Sequence, residues 1–243
     1  MILPRLLPLL LACALVAATP SRAVTLLRDA DIEYAMRQLA APVLSAAGLS
    51  PSQVRIVLID DGSLNAFVTD PQHIFIHSGL MMKLENARQL QAVLAHEAAH
   101  IANGHITRRL GNMRSARTAA GLGQLLAVAT GAATGSAQAA AAIAAGSAGS
   151  AMRLFLSHTR AEESAADISS VRYLLRAGID PSGALEVQQF FRGQETLSQQ
   201  RQDPYMRTHP LSRDRLRALE GLIAGHKGAG PDPVAGYWFA RAK

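Results

Sequence analysis

The chain has 243 residues and a net charge of +6; it is 49% hydrophobic and 17% charged. That length supports one medium domain with its own core, and the balance is that of a folded chain rather than a disordered one. Arginine supplies most of the positive charge, but no basic run interleaved with aromatics marks a nucleic-acid surface, so nucleic acid is not expected as a partner; association with an anionic membrane surface of the envelope stays open.

Residues 1–23 read as a signal peptide: Arg5, then a leucine- and alanine-rich stretch from Leu6 to Ala18, then Ser21-Arg22-Ala23 with small residues at the cleavage positions. Export to the periplasm is the expectation, because the apolar run is short for a retained span. Cys13, the only cysteine, sits in a loose lipoprotein box, but Leu11 fits it poorly and the apolar run continues past it. Residues 26–47 read as a helix broken or kinked at Pro42. Residues 54–60, 65–68 and 73–79 read as three short strands joined by Asp- and Pro-containing turns, a small antiparallel meander. Asn86 and Gln89 form a capping box for the next helix, where Leu90, Val93, Leu94 and Ile101 make an apolar stripe.

Residues 118–152 carry no charge and are mostly Ala, Gly, Ser and Thr. Bulky apolar residues are few there (Leu122, Leu125, Leu126, Val128, Ile143). A packed pair of small-residue helices or a lid is therefore expected, rather than a membrane span. Helices follow near 159–177, 183–200 and 212–224, punctuated by Gly178 and Pro181. The layout is a leader (1–23), one domain (24–225) and a loose tail (226–243). The fold class is α+β, mainly helical, with the small sheet beside the helix that carries the site.

That helix contains His96-Glu97-Ala98-Ala99-His100. Histidines four apart lie one turn apart on one face and can reach a single ion. Glu97 need not be a ligand and is free to take a proton from the attacking water, the division of labour of H-E-x-x-H zinc proteases. Solvated histidines on an exposed face would be the bland explanation, but a polar face inside the apolar VLA-HEAAH-IA needs buried partners. A third ligand must come from elsewhere, since Ile106 stands where a metzincin would have its histidine. In TRAEESAAD, 159–167, Glu163 can ligate while Asp167, four residues on, hydrogen-bonds the far nitrogen of a ligating histidine; Glu162 is the competing ligand.

The stretches NAF (65–67), HIFIHSGL (73–80), AVLAHEAAHIANGH (92–105), TRAEESAAD (159–167) and THPLSRDRL (208–216) resemble peptidase family M48, gluzincin-type zinc metalloproteases with a zincin-like fold. The resemblance implies one Zn2+ held by His96, His100 and Glu163, with Glu97 as general base and Asp167 supporting a ligand. It gives Arg160 a structural role. The chain reads as a small, stand-alone periplasmic type of that family, with no tetratricopeptide domain following.

Expected substrates are unfolded or misassembled envelope proteins, bound as an extended strand along Ile74, Phe75, Ile76 and His77. His209 has three readings: a donor to the oxyanion, a plug on the open zinc position, or the turn before a helix capped by Ser212. His105 is expected to support the site structurally. The rival to an endopeptidase is a periplasmic chaperone or assembly factor with a latent or inactive zinc site, which would not need Glu97.

Overall fold

The structure, a computed structural model, describes residues 25–226 and 230–243; the proposed leader, with Cys13, lies outside them. Helix α1 spans Ala30–Ala46, where Asp29 caps the amides of Asp31 and Ile32, and Pro42 sits inside without ending it. The predicted helix over 26–47 is therefore shortened. Leu26–Leu27 instead form strand β1, which pairs with Leu58 and Ile59.

Strands β2 (Arg55–Ile59), β3 (Ala66–Asp70) and β4 (His73–His77) complete a four-stranded sheet in the order β1-β2-β4-β3. β3 and β4 form an antiparallel hairpin, but β2 runs parallel to β4. The expected antiparallel meander is thus corrected to a mixed sheet. The reason is burial: Ile74 and Ile76 are fully enclosed, so β4 takes the central place and β3 is left at the edge.

Helix α2 (Ser78–Lys83) leads into α3 (Ala87–Ala102), the helix that carries the histidine pair. Asn86 Oδ1 caps α3 by accepting from the Gln89 amide at 3.0 Å, while Gln89 Oε1 accepts from the Glu85 amide at 2.7 Å. The capping box is thus present with its return bond displaced by one residue. Thirteen of the sixteen residues of α3 are buried, which rules out a solvated histidine face. Its alanines Ala92 and Ala95 let neighbouring helices approach closely, packing with Val43 of α1 and Leu174.

Helices α4 (His105–Thr134) and α5 (Ala137–Arg176) form a long hairpin that turns at Gly135, and the uncharged segment 118–152 lies within it. Among the described residues, no helix is long and apolar enough to cross a membrane. Helix α6 (Ser182–Phe190) stops short of its predicted end, and Gly193, at φ +88°, turns the chain into two short 3-10 segments. Helices α7 (Pro204–Thr208) and α8 (Arg213–Ile223) follow. The tail expected to be loose carries helix α9 (Pro233–Ala242), capped by Asp232, with Ala235, Phe239 and Ala242 buried in the core.

Helix α6 is held on the first turn of α3 by Glu186, which accepts from Arg88 Nη2 at 2.6 Å and Gln89 Nε2 at 2.8 Å. The approach is so close that a Cβ at Gly183 would lie 2.5 Å from the Arg88 carbonyl oxygen. Gly183→Ala is expected to destabilise the protein by about 1–3 kcal/mol through this overpacking. Thermal denaturation followed by circular dichroism checks it, and an unchanged midpoint would refute the close approach.

Candidate metal centre

His96 and His100 project from one face of α3 with their Nε2 atoms 3.1 Å apart. Glu163, on α5, brings Oε2 to 3.2 Å from His96 Nε2 and Oε1 to 3.3 Å from His100 Nε2. His209, at the C-cap of α7, brings Nδ1 to 3.0 Å from Glu163 Oε2. One ligand atom from each of these four buried residues lies within 4.8 Å of the others. A tetrahedral ion with bonds of about 2.0–2.1 Å holds its ligand atoms about 3.3 Å apart. The first three residues show that spacing.

The tautomers sharpen the fit. Asp167 Oδ1 lies 3.3 Å from His96 Nδ1, and an ionised carboxylate only accepts, so Nδ1 carries the hydrogen. Neutral His96 then presents its Nε2 lone pair to a Glu163 oxygen that is also an acceptor. His209 also reaches in, with Nε2 3.2 Å from the Ala66 carbonyl oxygen and Nδ1 3.0 Å from Glu163 Oε2. Lone pairs converging in a buried space need a cation between them. The residues therefore fit a metal ion with nitrogen and oxygen ligands.

Charge in the site is arranged accordingly. Burial pulls the His96 pKa down, but the bonds to Asp167 and Glu163 and their charges raise it to about 10. Burial, the other imidazoles and an opposing pull from Glu163 leave His100 well below the usual histidine range, hence neutral and fit to ligate. Burial would raise Glu163, but His209, His96 and His100 hold its carboxyl well below the usual range. Asp167 is likewise lowered against burial, by His96 and Arg215.

Two residues organise this centre that the sequence did not assign to it or placed only loosely. Arg215, buried on α8, forks onto Asp167 through Nε at 2.7 Å and Nη2 at 2.9 Å. Its Nη1 donates to the Pro210 carbonyl at 2.8 Å and lies 3.4 Å from Glu163 Oε2. One guanidinium thus ties together two carboxylates and the loop after His209. The available signal was the rule that a buried aspartate needs a cationic or hydrogen-bonding partner. His105 Nδ1 lies 3.0 Å from His100 Nδ1, which gives the expected structural role a partner. Gly104, at φ +68°, makes the tight turn between α3 and α4 that brings His105 back onto His100.

Glu97 is 0% exposed, with Oε1 3.4 Å from His209 Nε2. The competing ligand Glu162 is buried but outside the metal-capable group, and Arg160 is exposed. The expectation that Ile74, Phe75, Ile76 and His77 receive a substrate strand is corrected. β4 is paired on both sides, Ile74 and Ile76 belong to the core, and His77 Nδ1 bonds the Ser63 hydroxyl at 2.9 Å. The free edge nearest the centre is β3, which starts at Ala66.

A buried H-E-x-x-H helix with a glutamate supplied by a later helix is the residue arrangement of gluzincin-class metallopeptidases. Residues 26–223 match Peptidase family M48, and the chain belongs to that family. It is 31% identical over 190 residues, 76% of the chain, to a Vibrio cholerae protein described as a beta-barrel assembly-enhancing protease. It is 26% identical over 191 residues, 79% of the chain, to the beta-barrel assembly-enhancing protease of Escherichia coli, and 28% identical over 189 residues, 76% of the chain, to that of Yersinia pestis. The matches span 38%, 39% and 38% of those relatives, respectively, so the chain corresponds to about two fifths of their length.

Arg215→Met is expected to weaken metal binding about 10–100-fold, because Asp167 loses the partner that orients it on His96. Arg215→Lys should recover only part, since an ammonium cannot make the fork. Competition with a chromogenic zinc chelator measures both, and unchanged affinity in the methionine variant would remove Arg215 from the centre.

Proposed function

We propose that the chain is a zinc-dependent endopeptidase of the periplasm that cleaves unfolded or misassembled envelope proteins. The observation that carries this reading is the convergence of His96, His100 and Glu163 at tetrahedral spacing beside the enclosed Glu97. Zinc bound there supplies a Lewis acid that polarises the scissile carbonyl and acidifies a water. Glu97 takes the proton of the attacking water and delivers it to the leaving amine. Asp167 holds His96 in the ligating tautomer, and Arg215 holds Asp167.

Substrate recognition falls to the β3 edge. β3 has a sheet partner on one side only, and its first residue, Ala66, is bonded to His209 beside the centre. An extended chain adding to that edge is held through main-chain hydrogen bonds, which suits substrates of low sequence specificity. The envelope setting is supported by the relatives' names and by the leader-like residues 1–23. Association with an envelope membrane belongs to the same reading.

His209 supports a latent resting form. Its Nδ1 lone pair is a fourth donor at a centre where a catalytic zinc keeps one position open. In this reading, substrate binding at β3 displaces His209, starting with its bond to Ala66.

The test is casein cleavage by the zinc-loaded protein. Glu97→Gln is expected to lower the rate about 100-fold or more while retaining one zinc. A chelator should abolish cleavage, and zinc should restore it. His209→Ala should raise the rate if the imidazole occupies the open position; a lower rate would make it an oxyanion donor. Cleavage undiminished in Glu97→Gln would overturn the assignment.

A further inference from the structure

The α4–α5 hairpin reverses the usual amphipathic rule. In the distal half of α4, the residues turned inward are small: Gly123 and Ala127 are buried where α4 packs on α5. The bulky apolar residues point out, with Leu122 57%, Leu125 68%, Leu126 62% and Val128 71% exposed. At 100° per residue Leu122, Leu125 and Leu126 share one face with Ala129 and Ala133, also exposed, and Val128 lies at its margin. A monomeric protein surface rarely presents such a face without a partner.

Charge names the partner. No Asp or Glu lies between Glu97 and Glu162, whereas Arg108, Arg109, Arg114, Arg117, Arg153 and Arg160 do. All six flank the uncharged segment 118–152, four before it on α4 and two after it on α5. Arg108, Arg114 and Arg160 are exposed. The result is an apolar stretch of α4 with a collar whose described members, Arg108, Arg114 and Arg160, are all cationic, the distribution that suits acyl chains next to anionic headgroups. A second protein copy fits less well, because two such collars would repel each other. The stretch does not span: among the described residues no helix is long and apolar enough to cross a bilayer.

We propose that the α4–α5 hairpin docks the protein on an anionic membrane surface, with the Leu122, Leu125, Leu126 and Val128 face in the interface and the arginine collar on the headgroups. Docking rests on the envelope setting proposed above and not on peptide cleavage. It fixes the metal centre relative to the bilayer, because the hairpin grows from it: His105 begins α4, and Glu163 lies on α5 at the hairpin's base. The enzyme then meets substrates at the membrane face rather than in bulk solution.

The experiment is vesicle co-flotation of the protein purified from the cell envelope in its processed form. Vesicles of phosphatidylethanolamine with 30% phosphatidylglycerol, roughly an anionic bacterial leaflet, are compared with pure phosphatidylcholine. Binding is expected only to the anionic vesicles and should fall as salt rises. The double variant Leu125→Glu/Leu126→Glu should weaken partitioning about tenfold or more, and Arg114→Glu should weaken it less. Both side-chain sites are solvent-exposed, so casein cleavage in solution and the melting temperature should stay unchanged, which separates this test from that of the protease reading. Equal flotation of wild type and double variant overturns the proposal. So does absence of binding to anionic vesicles, or a wild-type dimer in sedimentation equilibrium that the double variant converts to monomer.

Discussion

A helix enclosed on every side can carry two histidines and a glutamate only if each polar atom has a partner within reach. An unmatched buried polar group costs about 1–3 kcal/mol, and an unmatched charge costs more. Helix α3 is in that position, and the elements around it can be read as the partners it requires. Helix α5 brings Glu163 and Asp167, α8 brings Arg215, the first residue of α4 brings His105, and the loop after α7 brings His209. The chain satisfies α3 from segments far apart in sequence, so the centre and the tertiary fold form together.

Within that cluster the links differ in strength. The Arg215–Asp167 fork is a bidentate charge-assisted pair at 2.7 and 2.9 Å. It is buried, so removing one partner would leave the other charge uncompensated. By contrast, His96, His100, Glu163 and His209 bring together atoms that can each act as a metal ligand. A rigid support therefore surrounds a cluster whose nitrogen and oxygen donors suit metal capture.

The parts legible in the sequence are those whose logic is local. The spacing of His96 and His100 follows from the helical period, Asn86 from capping preference, and the paired helices of 118–152 from their lack of charge. The family resemblance extended this to Glu163, placed 67 residues beyond His96 and recovered at 3.2 Å from it. What was not legible depends on strand order and on distant pairing. Alternation in residues 73–79 identifies a strand but does not say whether it is central or at the edge, and the sheet order makes β4 central and β3 an edge. Arg215 was invisible for the same reason: nothing near it in sequence marks it as the partner of Asp167. The tail reads as loose in sequence, whereas the apolar residues of α9 pack into the core.

Two segments of this chain break the rule that apolar residues face in and polar residues face out, and they break it in opposite directions. In α3 polar groups are inside, and their lone pairs converge on a point that only a cation can satisfy. In α4 bulky apolar groups are outside, and the charges around them are all of one sign. A violation of patterning leaves a free-energy deficit that packing within the chain does not remove, so each violation describes the thing that completes it. The two are joined by a turn of two residues, Asn103 and Gly104. The ion that completes one and the surface that completes the other are thus held in a fixed relation by the same short stretch of backbone.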